Sequence, residues 1–584
     1  MKMKHSVRLA TIAAATALTF SACKSRHQAG GEVSRNWTPP AAEVIRGVPA
    51  AEAKAAIQTR LAGNPPAPLG ADEWKHVKKL YGTFNQSLLW LDDEGTQQPR
   101  VSALLTALAA ADSDALRLDA YPLAELSRVL AAVNEDNPTA QQLAEADVLL
   151  SSAFVTFSEN MLTGQQKPSS LGQAWHINPL EERVDSALSL TIREDDLAAG
   201  LVRMRPQDPG YDSLRVALVN YRALVAKGGW GPVPAGKPLK RGDADSPIRL
   251  AALRARLAYE GYLTDSAAAA APVTLAAGTT DSTGAARAVP RAARAVYDKD
   301  LAGAVAAFQA HHGIVVDSML GEETVTAMNV PAQYRLAQIG ANMERYRWMP
   351  RSLGQRYILV NVPQFKLTAF DSGTTSLEMK VIVGKDYQDR ATPVFSDSME
   401  YVIFRPYWNV TPNIAAKEIF PKGPEYLAAN DMEIYNDHGR QAVRQRPGPK
   451  NALGFVKFIF PNDYNIYLHD TPNHELFDKD IRAFSHGCIR VEKPDELAQW
   501  VLGWSAEKVE AAAQGANNRQ VNLPKKIPVY IVYFTTMVDG GQLYFGNDLY
   551  DRDNKLVTEI AAGANTAAET IAAQQALREM AKGS

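Results

Sequence analysis

The chain is 584 residues long, more than one hydrophobic core supports, which implies roughly two to four domains. Its 62 Lys and Arg against 64 Asp and Glu leave a formal charge of −2 with no long run of one sign, which excludes nucleic acid as a partner held by bulk charge. The two cysteines, Cys23 and Cys488, stand in such different contexts that no disulfide between them is expected.

Lys2, Lys4 and Arg8 precede an apolar stretch from Leu9 to Phe20, followed by Ser21, Ala22 and Cys23. A charged start, a short apolar segment and small residues predict an export signal over 1–22, since a membrane span needs about 20 apolar residues. Small residues directly before Cys23 resemble a bacterial lipobox, with Phe20 in place of the usual Leu. That resemblance implies acylation of Cys23 and a lipid anchor to a bacterial membrane, with the body outside the cytoplasm. Residues 23–70, rich in Ala, Pro and Gly and containing Pro39-Pro40 and Pro65-Pro66, predict a tether with little fixed structure.

Apolar residues then recur at helical spacing, as in Leu104, Leu105 and Leu108, which predicts an all-helical scaffold over 71–245. A second helical unit covers 246–330, with Ile248, Leu250, Leu253 and Leu257 marking one helix and Leu301, Val305 and Phe308 another. His311 and His312 read as a solvated helix end, and the Ala-rich stretch 266–294 as a surface insertion. Ala304-Val305-Ala306-Ala307-Phe308-Gln309 and Asp317-Ser318-Met319-Leu320-Gly321 resemble the three-helix peptidoglycan-binding domain of cell-wall enzymes, with Ser318 where that family has Gly.

From about residue 340 to 550 short β-branched and aromatic runs alternate with turn residues: Tyr357 to Val362, Met379 to Val383, Tyr401 to Phe404, Phe455 to Phe460, Ile466 to Leu468 and Val529 to Phe534. The fold class is therefore α+β and multidomain, with a β-rich C-terminal domain. Residues 411–446 lack clear alternation and suggest a lid. The tail 551–584 reads as a peripheral or disordered Ala-rich helix.

Within the β-rich part, His469 ends a strand-like run, and Cys488 lies in Ser485-His486-Gly487-Cys488-Ile489-Arg490. A free thiol is only a few per cent thiolate at neutral pH, so an imidazole and converging N–H groups would raise its reactive fraction. Gly487 permits the tight turn that aims such donors, and Arg490 suits a two-pronged contact with a carboxylate. His469, His486 and Cys488 are also zinc-ligand types, but no fourth ligand stands at a recognisable spacing, so no metal and no cofactor is expected.

Tyr467-Leu468-His469-Asp470-Thr471-Pro472 and Phe484-Ser485-His486-Gly487-Cys488-Ile489-Arg490-Val491 closely resemble the signature of the L,D-transpeptidases with a YkuD-type catalytic domain. Leu80-Tyr81-Gly82, Leu89-Trp90-Leu91, Gly228-Gly229-Trp230, Asn342 to Trp348, Thr392-Pro393 and Arg446 to Gly454 resemble the larger YcbB-type members. The resemblance implies that Cys488 carries an acyl group from a peptidoglycan tetrapeptide with release of D-alanine, and that His469 is the base. It implies that Ser485, His486 and Gly487 line the oxyanion pocket, and that Arg490 and Tyr467 contact substrate. A second stem's amine would then capture the acyl group in a 3→3 cross-link, and carbapenems would acylate the same thiol. The polar stretch from Trp408 onward is the candidate gate, with Trp408 against substrate. Capture by water, or service as a wall-binding tether, are the competing functions. Whether a synthase or carboxypeptidase partner supplies the stems is left open.

Overall fold

The computed structural model describes residues 33–172, 175–177, 183–263, 296–386, 390–564 and 568–582. The expected leader, Cys23 and the 266–294 insertion lie outside the described residues. Among those described, no helix is long and apolar enough to cross a membrane.

The N-terminal unit is helical: α1 (Ala50–Ala62), α2 (Ala71–Thr83), α3 (Gln98–Ala109), α4 (Leu123–Asn134), α5 (Ala140–Thr163), α6 (Val184–Ile192), α7 (Leu197–Arg203) and α8 (Pro209–Ala226). Helix α5 runs through its centre, opened by a Thr139/Gln142 capping box and buried along nearly its whole length. The burial of Asp147 on α5 is offset by the Tyr81 hydroxyl at 2.5 Å and by the N–H groups of Leu89 and Trp90 at 3.0 and 2.8 Å. The two aromatic motifs on either side of residue 85 thus converge on one carboxylate.

Two expectations are corrected here. Residues 33–70 are not a loose tether: α1 packs against α5 with Ala53, Ile57 and Leu61 buried, a helical stripe hidden by an Ala-rich composition. Nor is the tail peripheral, because Ala573 and Leu577 pack into the scaffold core and Gln574 donates to the Ala109 carbonyl at 2.8 Å, closing the end of α3.

The second unit contains α9 (Pro247–Tyr259), α10 (Lys299–His311) and α11 (Glu322–Met328). Its boundary lies earlier than residue 246, since Val233 and Leu239 belong to its core and Leu239 bridges Leu320. Ser318 has φ 60°, a left-handed conformation that glycine would adopt at less cost. His312 is not solvated: its ring stacks on Phe308 at 3.7 Å, and burial pushes it down to about 3.

Helix α12 (Ala332–Arg347) joins the scaffold to the β domain. Arg347 pairs with Glu344 and donates to the Asp114 carbonyl and the Tyr211 hydroxyl of the scaffold at 2.8 and 3.0 Å. Arg345 faces the other way, pairing with Asp553 at 2.6 Å, with Asn342 bonded to Thr535.

The β domain comprises β2 (Arg356–Asn361), β3 (Lys366–Asp371), β4 (Thr374–Gly384), β5 (Val394–Phe404), β9 (Val456–Ile459), β10 (Leu468–His469), β11 (Ala483–Ser485), β12 (Ile489–Val491) and β13 (Arg519–Val532). Neighbours run β9-β10-β12-β4-β3-β2-β13-β5, and β5 also pairs with β9, so the path closes on itself around an apolar core. A short strand from the scaffold, β1 (Trp175–His176), adds in parallel to β5. The stretch 411–446 does contain strands: β7 (Met432–Asp437) and β8 (Arg440–Gln445) form a hairpin that pairs with β6 (Trp408–Asn409). With helical turns over 412–429, this hairpin encloses a small core of Val410, Ala415, Ile419 and Val443.

Candidate active site

Strand register places the site. Lys457 on β9 pairs with His469 on β10, and His469 pairs with Arg490 on β12. Directly paired residues share a face, and faces alternate along a strand. Lys457, His469 and Arg490 therefore form one row, while Phe458, Leu468 and Ile489 turn into the core and are fully buried. Two residues back along β12, Cys488 takes the face of Arg490; two residues back along β10, Tyr467 takes the face of His469. Sequence analysis paired Cys488 with His469, and the structure puts both on this row.

The half-buried Cys488 donates to the Asn465 carbonyl at 3.5 Å. Burial pushes its thiol up, and the opposing pull of the Tyr467 N–H and hydroxyl, Lys457 and Arg490 does not overcome that. Burial, helped by Arg490 and Lys457, holds His469 down to about 3, so the ring is neutral at physiological pH. The expected enrichment in thiolate is therefore not a property of the resting site. Nδ1 of His469 lies 2.5 Å from the Asp470 carbonyl, which only a protonated nitrogen can satisfy, so Nε2 is the unprotonated, basic nitrogen. Asp470 is fixed in turn by the N–H groups of Phe455 and Thr471 at 2.8 and 2.6 Å. Gly454 is needed beside it, since a Cβ there would lie 2.1 Å from the carboxylate.

The loop before the sulfur is held by two hydroxyls. Ser485 Oγ donates to the Cys488 carbonyl at 2.5 Å and accepts from the Gly487 N–H at 3.1 Å. Thr392 Oγ1 donates to the Gly487 carbonyl at 2.8 Å and accepts from Gly384 at 3.0 Å. Gly487 has φ 115°, and an added Cβ would meet Ile466 at 3.1 Å, so no other residue fits this turn without strain. Because its N–H is committed to Ser485, Gly487 shapes the turn and is not itself a spare donor for an oxyanion.

His486 points away from the row: its Nε2 lies 2.8 Å from Glu418 Oε1, which also pairs with Arg390 at 2.6 Å. Glu418 belongs to the helical turns of the 411–446 element, so this carboxylate ties that element to the catalytic loop. Trp408, expected against substrate, is partly buried on the small core of the same element. Arg490 keeps a buried Nε with no hydrogen-bond partner among the described residues.

Lys457, Asn465, Glu418 and Arg390 were not foreseen. Lys457 was readable in principle, as the one cation in the apolar alternation Val456-Lys457-Phe458. Glu418 gave no signal, because its partner His486 is 68 residues away in sequence. Among the described residues no group of three or more His, Cys, Asp or Glu is arranged to hold a metal ion.

Comparison with known proteins adds three family matches: the L,D-transpeptidase catalytic domain (YkuD) over 355–531, the Scaffold domain over 75–218, and the "Putative peptidoglycan binding domain" over 284–328. A "Putative L,D-transpeptidase" of Haemophilus influenzae is 31% identical over 242 residues, covering 38% of this chain and 48% of that protein. The match thus spans about half the length of that relative. A crystal structure of the L,D-transpeptidase (residues 123-326) from Xylanimonas cellulosilytica matches at 16% identity over 51% of this chain and 99% of that one. The TM-score is 0.15. Cys488, His469 and the row they share fall inside the first family span, so the chain carries a YkuD-type L,D-transpeptidase catalytic domain, here joined to a scaffold domain and a peptidoglycan-binding-type domain.

Proposed function

We propose that the protein is a peptidoglycan L,D-transpeptidase of the cell envelope that forms 3→3 cross-links through a thioester on Cys488. The observation that carries this reading is the β10–β12 register, which sets a basic Nε2 and a thiol on one face with a cation on either side. His469 Nε2 takes the thiol proton as the sulfur attacks the carbonyl carbon of the third stem residue. The main-chain N–H of Cys488, which follows the positive-φ turn at Gly487, is the donor we assign to the developing oxyanion. Collapse breaks the amide bond, the imidazolium gives its proton to departing D-alanine, and the thioester remains. An acceptor amine then attacks, losing a proton to His469 and restoring the thiol.

A resting neutral pair suits this cycle, because the proton moves only as the carbonyl arrives. Incubation of the purified chain with disaccharide-tetrapeptide, followed by mass spectrometry, is the test. Cross-linked dimer plus D-alanine, both lost in Cys488→Ala, is the expected result. D-alanine without dimer makes the chain a hydrolase, and identical products from Cys488→Ala reject the reading. Lipidation of Cys23 is proposed from sequence alone, and Cys23→Ala should then leave the membrane fraction.

A further inference from the structure

The thiol of Cys488 rests on main chain: its acceptor, the Asn465 carbonyl at 3.5 Å, lies on the loop 460–466 between β9 and β10. One side chain closes that loop. Asn462 donates from Nδ2 to the Phe460 and Ile466 carbonyls at 2.6 and 2.8 Å, and its Oδ1 accepts from the Tyr464 and Ile466 N–H groups, both at 3.1 Å. The amide thereby uses both donors and both lone pairs on one short stretch of chain. Within this closure Asn465 takes φ 55°, a left-handed conformation open to Asn and costly for a β-branched residue. The loop is also braced from another domain. Scaffold strand β1 pairs His176 with Phe395 of β5, and the Tyr464 ring meets both of those rings with centroids 5.0 Å apart in each case. The neighbouring Trp175 takes the other face of β1 and packs edge-on against Trp348, the residue after α12, at 5.1 Å. One residue of the borrowed strand anchors it, and the next reaches the loop that holds the sulfur.

We propose that Asn462, Tyr464 and His176 are positioning residues for the nucleophile: the scaffold, acting through the His176–Tyr464 contact and the loop that Asn462 closes, holds the Asn465 carbonyl as the resting partner of the Cys488 thiol. This rests on Cys488 being the nucleophile of the transpeptidase reading above. A carbonyl can only accept, so it keeps the sulfur protonated and fixes its rotamer until the stem carbonyl arrives. The S–H then turns from Asn465 to His469 Nε2, and the sulfur attacks as that nitrogen takes the proton. A loose loop would let the sulfur visit rotamers from which the imidazole is out of reach, and a misplacement of about 1 Å at a reacting atom costs up to about 100-fold in rate. Docking of the scaffold thus contributes to turnover without touching substrate.

The test measures kcat, KM and the pH midpoint of Cys488 alkylation by iodoacetamide on the full chain. Asn462→Ala should lower kcat by about 10- to 100-fold with KM within a few-fold, and Asn465→Val, which disfavours the left-handed turn but leaves the Asn462 amide in place, should do the same. Both should lower the alkylation midpoint by about half a pH unit, because the neutral thiol loses its acceptor. Lys457, Tyr467 and Arg490, the titratable groups that act on the sulfur, stay in place in every variant, as does His469. Tyr464→Ala and His176→Ala should each lower kcat by about 3- to 10-fold, the size of one aromatic contact. Tyr464→Phe and His176→Phe should restore it, and the double Ala variant should be no slower than Tyr464→Ala alone. If Asn462→Ala fails to fold, Asn462→Asp, which gives up only the two donors, gives the same reading. A fall in kcat with an unmoved midpoint marks a merely structural loop and overturns the proposal, as does additivity of the two ring losses or an unchanged kcat throughout. Meropenem separates the two readings: a parent chain whose Cys488 stays unlabelled sinks the nucleophile itself, whereas a labelled Cys488 with indifferent variants sinks only the brace.

Discussion

Two pairs of cations stand in the β domain, one at its seam with the scaffold and one on the row beside Cys488. On α12, Arg345 and Arg347 are fully buried, and each meets a carboxylate and further oxygen acceptors. On the catalytic row, Lys457 and Arg490 are only partly buried and meet no carboxylate at ion-pair distance among the described residues. The first arrangement spends its charge on joining scaffold to barrel; the second leaves charge ready for something that arrives. Burial alone does not separate structural from functional ions, but compensation does.

Removing the imidazole should have the largest effect. His469→Ala should lower kcat by on the order of 10²- to 10⁴-fold with folding intact, measured as D-alanine release beside a melting curve. Arg345→Met should do the reverse. Stranding Asp553 in the core should cost about 3–5 kcal/mol in denaturant unfolding, while the folded fraction keeps its kcat. If Arg345→Met spared stability and destroyed turnover, the division between seam and row would be wrong.

The same comparison explains what could be read from the chain. Composition, helical spacing and the two short motifs around His469 and Cys488 were enough to find the β domain and the two residues that its register puts on one row, because these depend on residues close in sequence. What escaped were pairings across long separations: β1 borrowed from the scaffold, Asp553 reaching Arg345, Glu418 reaching His486. Low-complexity stretches misled for another reason. The face of α1 reads Ala53, Ile57, Leu61, and a core can be built from small residues whose composition looks like linker. Tyr81, Leu89 and Trp90 were noticed as a motif, yet nothing local revealed Asp147 as their common partner.

Acid should sharpen the contrast next. His469 on the row and His312 in the second unit are both buried neutral and held down to about 3, so these two sites bind more protons in the unfolded chain than in the folded one between roughly pH 3 and 6.5, offset in part by Asp147, whose carboxyl burial pushes up to about 6. Stability should therefore rise with pH across that window and level off above it. Urea unfolding at pH 4, 5, 6 and 7 checks this, with His312→Phe removing part of the slope. An identical slope in the unmodified chain and in His312→Phe would mean that the His312 ring is already charged in the folded state. The smallest effect is expected at the tie between the lid-like element and the loop. Glu418→Gln keeps the shape but gives up the charge on Arg390, and should raise KM by a few-fold with kcat nearly unchanged.

The central claim is that Cys488 accepts an acyl group because the imidazole of His469 removes its proton. Intact-protein mass after exposure to meropenem, with peptide mapping of the adduct, addresses that claim without any peptidoglycan substrate. The expected result is one adduct on the peptide containing Cys488, formed quickly in the unmodified chain, far more slowly in His469→Ala, and absent from Cys488→Ala. An adduct elsewhere, or one on Cys488 whose rate ignores the loss of His469, would contradict the account.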